Sequence, residues 1–308
     1  MAGAPDLQAV LAAYEDIPGA LGFYAQVMAI TPQETDAELL FNLGPGGPEA
    51  VALAEAVMAC FGHLPASVVR GRLGSLRVEA ASRLRAAQAA DRGVRAGPGD
   101  VEPAVTTHIH TGFFAMEVLS LRHRRFDGAI SETIRREVFV SCDAVTVLPY
   151  DPVRDRVLLI EQFRVGPLRR GDPLPWQLEA IAGRIDPGET PEASARREAA
   201  EEAGLTLGRL IKVAEYYPSP GAMTEYIYSF VAICDLPDGV AGVFGKPEEG
   251  EDIQGHLLAF DALMAAVAGG EVANATLLLT ALWLARERGA LRGQADGGQS
   301  AHPAVPRT

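Results

Sequence analysis

The sequence predicts a chain of two parts: a smaller, mainly helical N-terminal domain over residues 1–95, and an α/β domain with a mixed sheet over residues 104–290. Three observations predict this. Apolar residues recur at helical spacing in residues 7–14, 48–61 and 66–90. A Gly- and Pro-bearing stretch, residues 96–103, then reads as a linker. Beyond it, short β-rich runs alternate with helical segments, the arrangement of a sheet covered by helices on both faces.

The elements follow in order. Strands are expected at residues 112–121 and 133–140, joined by a turn at Asp127–Gly128. Residues 144–149 and 156–163 form a hairpin-like pair around the sequence DPVRD, and residues 176–182 form a further strand. Strands at 210–216 and 226–233 are followed by a Gly/Pro/Glu-rich loop at 239–250 and another strand at 254–260. Asp261 caps a helix through Ala268, and Asn274 caps the last one, through Arg288. Residues 291–308 read as a disordered Gly, Gln, Ser and Pro tail.

Composition limits the function classes. The 40 acidic and 27 basic residues leave a net charge of −13, which argues against a nucleic-acid partner or an anionic-membrane surface. The basic residues are nearly all Arg; only Lys212 and Lys246 are lysines. Cys60, Cys142 and Cys234 show neither metal-ligand spacing nor a disulfide framework, so a reducing, cytoplasmic setting is expected. No basic n-region precedes an apolar core at the start, and no apolar run approaches the roughly 20 residues of a membrane span. Arg70, Arg72, Arg77, Arg83 and Arg85 lace residues 66–90 and read as a solvated face. His108 and His110 alternate on an expected strand and read as surface residues, and His256 as a structural one.

The stretch GRIDPGETPEASARREAAEEAGL, residues 183–205, carries the chemistry. Thr190 suits an N-cap, Pro191 the first helical position and Gly204 the C′ position. Glu198, Glu201 and Glu202 fall on one face of that helix, and Ala193, Ala199, Ala200 and Ala203 on the opposite, bulk-free face. Like charges at i,i+4 cost a helix about 0.2–0.5 kcal/mol per pair, so clustered carboxylates call for a counter-charge. A hard cation such as Mg²⁺, which takes carboxylates, carbonyls, waters and phosphate oxygens, supplies one.

The same stretch fits the Nudix box, G-x5-E-x7-R-E-U-x-E-E-x-G-U with U a bulky aliphatic. Gly183, Glu189, Arg197, Glu198, Glu201, Glu202, Gly204 and Leu205 stand at its fixed positions, with Ala199 the one departure. The chain therefore resembles the Nudix hydrolases, which cleave a nucleoside diphosphate linked to another moiety using Mg²⁺ or Mn²⁺. The resemblance implies a Nudix α/β/α sandwich. LRHRRFDGAISETIRREVF, AVTVLPYDPVRDRVLLIEQFRVGP and LEAIAGRIDPGE upstream, with YPSPGAMTE, EEGEDI and ANATLLLTALWL downstream, resemble the ADP-ribose pyrophosphatase subfamily. That implies hydrolysis of ADP-ribose to AMP and ribose 5-phosphate. The alternatives are another nucleotide sugar such as GDP-mannose, or a non-catalytic ADP-ribose-binding regulator. EAVMACFGHLPASVV and RLRAAQAA resemble the end of the N-terminal domain of tellurite-resistance Nudix proteins, a γ-glutamylcyclotransferase-like fold. Its aromatic-Gly-Thr-Leu entry strand is not visible here, so a degenerate cyclotransferase-like accessory domain is implied and no cyclotransferase activity is carried over.

Roles carry over by motif position. The Ala182 carbonyl, Glu198 and Glu202 are implied metal ligands, with Glu201 holding a further position or its water. Glu189 and Arg197 brace the loop to the helix. Arg164 meets the diphosphate, and Ser219, Pro220, Gly221 and Glu225 shape the terminal-ribose pocket. Glu249 matches the general base, and Glu251 a carboxylate that joins the metal cluster. Arg122 and Arg124 match residues that reach substrate across a homodimer, which the resemblance also implies. Since all these motifs lie beyond the expected linker, removal of residues 1–95 is expected to spare hydrolysis.

Overall fold

The computed structural model describes residues 6–30, 39–40, 43, 46–88, 100–102, 105–246 and 250–298 of the 308-residue chain. Glu249, residues 96–99 and 103 of the expected linker and residues 299–308 of the expected tail lie outside the described residues. The chain divides into two compact units. One holds residues 1–143, 186–188 and 219–225, the other residues 144–185, 189–218 and 226–308. The division therefore falls at Asp143, and not at the linker expected over residues 96–103.

The first unit combines helices α1 (Leu7–Ala12), α2 (Ala20–Met28), α3 (Pro48–Met58), α4 (Ala66–Gly71) and α5 (Leu73–Ala87) with an antiparallel sheet of β1 (Val105–Thr111), β2 (Ala115–Leu121) and β3 (Ile134–Val140). Leu11, Leu21, Val27, Ala54, Val57 and Val69 fill its core. The single helix expected over residues 66–90 is broken at Arg72, whose φ −101° and ψ 9° are not helical. The break lets buried Arg72 reach Glu79 at 3.2 Å and donate to the Gly112 carbonyl at 3.2 Å. Arg85 donates to Asp143 at 2.5 Å, so Arg72 and Arg85 depart from the expected solvated face. These bonds join helix α5 to residues past 103. Removing residues 1–95 would leave their partners bare.

In the same unit, Gly128 turns between β2 and β3 with φ +87°. His108 faces Glu117 across β1–β2, its Nδ1 3.1 Å from the carboxylate. Residues 219–225 lie along β3: Phe139 donates to the Ala222 carbonyl, and Thr224 donates back to the Phe139 carbonyl. The Thr224 hydroxyl also caps the Ser141 amide at 2.9 Å.

The second unit is a mixed sheet. Strands β4 (Ala144–Asp151), β5 (Arg156–Phe163), β8 (Leu210–Tyr216), β9 (Ile227–Ile233), β10 (Val243–Phe244) and β11 (Ile253–Ala259) run in the order β10-β11-β5-β4-β9-β8. The β4–β9 pair is parallel and the other pairs are antiparallel. Strands β4 and β5 pair only at Tyr150–Val157 and Asp151–Arg156. Beyond that point β6 (Trp176–Glu179) pairs with β5 and β7 (Ile181–Arg184) with β4. The one strand expected over residues 176–182 is thus two, parting at buried Ala180. A short helix, α6 (Val165–Arg170), follows β5.

Strand alternation sends Val145, Val147 and Ile160 to one face and Leu148, Tyr150 and Leu159 to the other. Helix α7 (Pro191–Ala203) covers the first face with Ala195, Ala199 and Ala203, all buried. Helices α8 (Phe260–Gly269) and α9 (Ala275–Gly298) cover the second with Leu263, Leu277 and Leu284. Each fully buried leucine contributes about 1.5–3 kcal/mol. Asn274 caps α9 by accepting from the Leu277 amide at 2.9 Å. Asp261 is in the first turn of α8, one residue past Phe260, and does not cap it. Helix α9 runs on to Gly298, so the described part of the expected tail is helical.

The extension has an anchor. Asp155, in the β4–β5 turn with φ +57°, accepts from Arg288, from Arg292 at 3.0 Å and from the Tyr150 hydroxyl at 2.8 Å. Burial alone would raise the Asp155 carboxyl, but these donors outweigh it and hold it below its ordinary value. A depressed acid contributes stability above its unfolded value of 3.8, and loses it as pH falls through the lower folded value. Asp155→Asn keeps the tolerance for positive φ and removes the charge. It should cost about 1–3 kcal/mol at pH 7. In urea denaturation, the gap between variant and wild type should close below about pH 4.

Candidate active site

The site begins with the ends of α7. The Thr190 hydroxyl accepts from the Ala193 amide at 3.2 Å, and Gly204 closes the helix with φ +62°. The buried alanines let α7 lie close on the sheet, and it comes close to β7 at Gly183. A Cβ there would overlap the Glu198 carboxylate. Glycine at this position therefore gives the carboxylate its place.

Arg197 ties the surroundings together. It donates from Nε and Nη2 to Glu189 at 3.0 Å each, from Nη1 to Glu198 at 2.6 Å and Glu201 at 3.3 Å, and from Nη2 to the Arg184 carbonyl at 3.0 Å. Ser194 adds a hydroxyl bond to Glu189 at 2.6 Å. Glu189, just before α7, is thereby held to Arg197 and Ser194 of the helix. Glu202, 3% exposed, accepts from the Ala182 amide at 3.0 Å. That bond brings the metal-ligand candidates Ala182 and Glu202 together.

Electrostatics follow from burial. Glu202 is pushed up to about 8, first by burial and then by the charges of Glu198 and Glu251. Glu198 is pushed up to about 7 by burial, with Glu201 and Glu251 adding repulsion and Arg197 offsetting part of it. Among the described residues, no group of three His, Cys, Asp or Glu side chains is arranged to hold a metal ion. Instead, Arg197, Lys246 and the Ala182 amide hold the helix carboxylates. The donor set still fits a hard divalent cation: all oxygen, crowded with like charge, and beside a bare Cα at Gly183. Mg²⁺ does not require a closed protein cage, since it commonly takes one or two carboxylates plus waters and substrate phosphates.

The other expected residues divide between the units. Arg164 lies in the second unit and forks onto Glu179 at 2.9 and 2.6 Å. Its charge acts on Glu202. Glu251 is in that unit too, its carboxylate accepting from the Lys246 amide at 3.0 Å. Arg122, Arg124, Ser219, Pro220, Gly221 and Glu225 belong to the first unit. Arg122 pairs with Glu102 and Arg124 with Asp100, at 2.7 and 2.8 Å. Sequence reasoning missed three features of the second unit. Glu179 holds Arg164, Lys246 holds Glu201 at 2.9 Å, and Tyr217, Tyr226 and Tyr228 stack edge to face at 4.7 and 5.3 Å. The i,i+2 spacing of Tyr226 and Tyr228 was the legible signal for the last.

A family model described as the NUDIX domain matches residues 141–278. The ADP-ribose pyrophosphatase of Escherichia coli strain K12 is 37% identical over 198 residues, spanning 64% of this chain and 94% of that protein. The chain belongs to the Nudix hydrolase family. The ADP-ribose pyrophosphatase of Haemophilus influenzae is 33% identical over 60% of this chain and 86% of its own. The GDP-mannose pyrophosphatase of Enterobacter sp. strain 638 is 33% identical over 49% and 77%. Nudix hydrolases use divalent metal ions, and the α7 carboxylates of this one stand at the positions of the family box.

Gly183→Ala tests the close approach in this Nudix hydrolase. The new methyl must displace Glu198, so divalent-ion affinity should fall at least 10-fold while the melting temperature moves by only a few degrees. Metal titration and a thermal melt on the same variant check both halves.

Proposed function

We propose that this Nudix hydrolase cleaves the diphosphate of ADP-ribose to AMP and ribose 5-phosphate with Mg²⁺, Mn²⁺ serving as a substitute. One observation carries the reading: Glu198 and Glu202 share the α7 face held over Gly183 and Ala182, in a chain 37% identical to an ADP-ribose pyrophosphatase over 94% of its length. The Ala182 carbonyl, Glu198 and Glu202 would hold the metal, with Glu201 and Glu251 contributing further oxygens. When bound, the metal neutralises charge on the diphosphate and lowers the pKa of a coordinated water. Arg164 orients the diphosphate, released in part from Glu179. Glu249 accepts the proton of the attacking water as its oxygen bonds to phosphorus and the bridging P–O bond breaks. Ser219, Pro220, Gly221 and Glu225 shape the terminal-ribose pocket.

The proposal includes a homodimer in which Arg122 and Arg124 reach the partner's substrate, and a cytoplasmic setting suited to three free cysteines. Residues 1–95 are proposed as an accessory region. No described helix is long and apolar enough to cross a membrane. The similarity to GDP-mannose pyrophosphatases favours a second reading, in which the sugar nucleotide is GDP-mannose.

Product analysis over a nucleotide-sugar panel separates the readings. AMP and ribose 5-phosphate should form from ADP-ribose with Mg²⁺ and vanish with EDTA, and a higher kcat/KM for GDP-mannose would replace the first reading with the second. Two variants test the roles. Glu202→Gln should raise the Mg²⁺ concentration needed for half-maximal rate. Glu249→Gln should leave metal and ADP-ribose binding nearly unchanged and lower kcat by roughly 10²–10⁴-fold. A Glu249→Gln enzyme with more than about a third of wild-type kcat would move the base elsewhere, with Glu251 the next residue to test.

A further inference from the structure

The ammonium of Lys246 sits 2.9 Å from Glu201 Oε2. Its backbone is fixed there. The Lys246 amide donates to the Glu251 carboxylate at 3.0 Å, and the Glu251 amide donates back to the Lys246 carbonyl at 3.2 Å. Gly245 makes the preceding turn at φ +103°, where a Cβ would lie 2.8 Å from that of Glu251. One residue thus meets two carboxylates of the proposed metal set, Glu251 with its main chain and Glu201 with its side chain. The chain's other lysine, Lys212, pairs with Glu215 on β8.

We propose that Lys246 is a built-in counter-cation of the metal site, competing with the divalent ion for Glu201 and so setting the concentration at which the site fills. The inference rests on the reading of α7 as the metal helix. Arg197 also touches Glu201, at 3.3 Å, but it is anchored to Glu189 and the Arg184 carbonyl. Lysine suits an exchanging contact, being a hydrated point charge on a flexible four-carbon stem. The side chain is 34% exposed, so the ammonium can move into water without being stranded. While it stays, it holds the Glu201 carboxylate and repels an incoming cation. Without it, Glu198, Glu201, Glu202 and Glu251 face one another with less compensation and draw the metal more strongly.

The test uses Mn²⁺ alone, with free ion measured by electron paramagnetic resonance, on full-length wild type, Lys246→Met and Lys246→Arg without nucleotide. Lys246→Met should bind Mn²⁺ about 2–5-fold tighter, the range of a partly exposed ion pair. Lys246→Arg should bind no tighter than wild type. This direction is opposite to what damage to the site would produce, and a thermal melt verifies folding. Lys246→Gln serves the same purpose if the methionine variant is unstable. Unchanged or weaker binding in a folded Lys246→Met or Lys246→Gln protein overturns the inference. Failure of the wild type to bind Mn²⁺ would instead overturn the metal-helix reading, and the inference with it.

Discussion

The guanidinium of Arg197 is the contact on which the site depends. Three carboxylates and one carbonyl converge on it, from the loop after β7, from β7 itself and from α7. Arginine suits the task because its planar fork offers five donors in fixed directions and remains charged throughout. Lysine would satisfy the charge but not this geometry. Once Arg197 has fixed the loop, Gly183 can stand against Glu198, and the Ala182 amide can meet Glu202. The helix then presents carboxylates whose mutual repulsion and burial make them receptive to a cation.

The split in the sheet makes room for this arrangement. Strands β4 and β5 stay together for only two residue pairs and then diverge, with β6 and β7 filling the gap. Arg164, just past the end of β5, and Gly183 on β7 therefore come from different parts of the sheet. On the opposite face, α8 and α9 pack over Leu148, Tyr150 and Leu159, and Asp155 fastens the C-terminal helix to the β4–β5 turn. The back of the sheet is thus covered by α8 and α9, while α7 lies on its front.

What was legible in the sequence was local. The cap at Thr190, the stop at Gly204 and the face shared by Glu198 and Glu202 depend on spacings of a few residues, and helix geometry converts such spacings directly into positions. What was not legible depended on distant partners. The helix break at Arg72 had a local cue in flanking Gly71 and Gly74, weak helix formers, but the partners that hold it, Glu79 and the Gly112 carbonyl, were not legible. The segment after Arg288 looks like tail by composition, yet Arg288 and Arg292 carry it along Asp155 as helix. Lys246 meets Glu201 because β10, just before it, lies beside α7, a contact that no periodicity encodes.

In the proposed function, the α7 face over Gly183 holds the divalent ion during diphosphate cleavage. A crystal structure with Mn²⁺ and a non-hydrolysable ADP-ribose analogue tests it most directly, because anomalous scattering locates the metal independently of any assumption about ligands. Mn²⁺ is expected within about 2.0–2.3 Å of the Ala182 carbonyl or of the Glu198 or Glu202 carboxylate, and bridging to a diphosphate oxygen. Mn²⁺ bound to the analogue with none of these three oxygens in its coordination shell would contradict it.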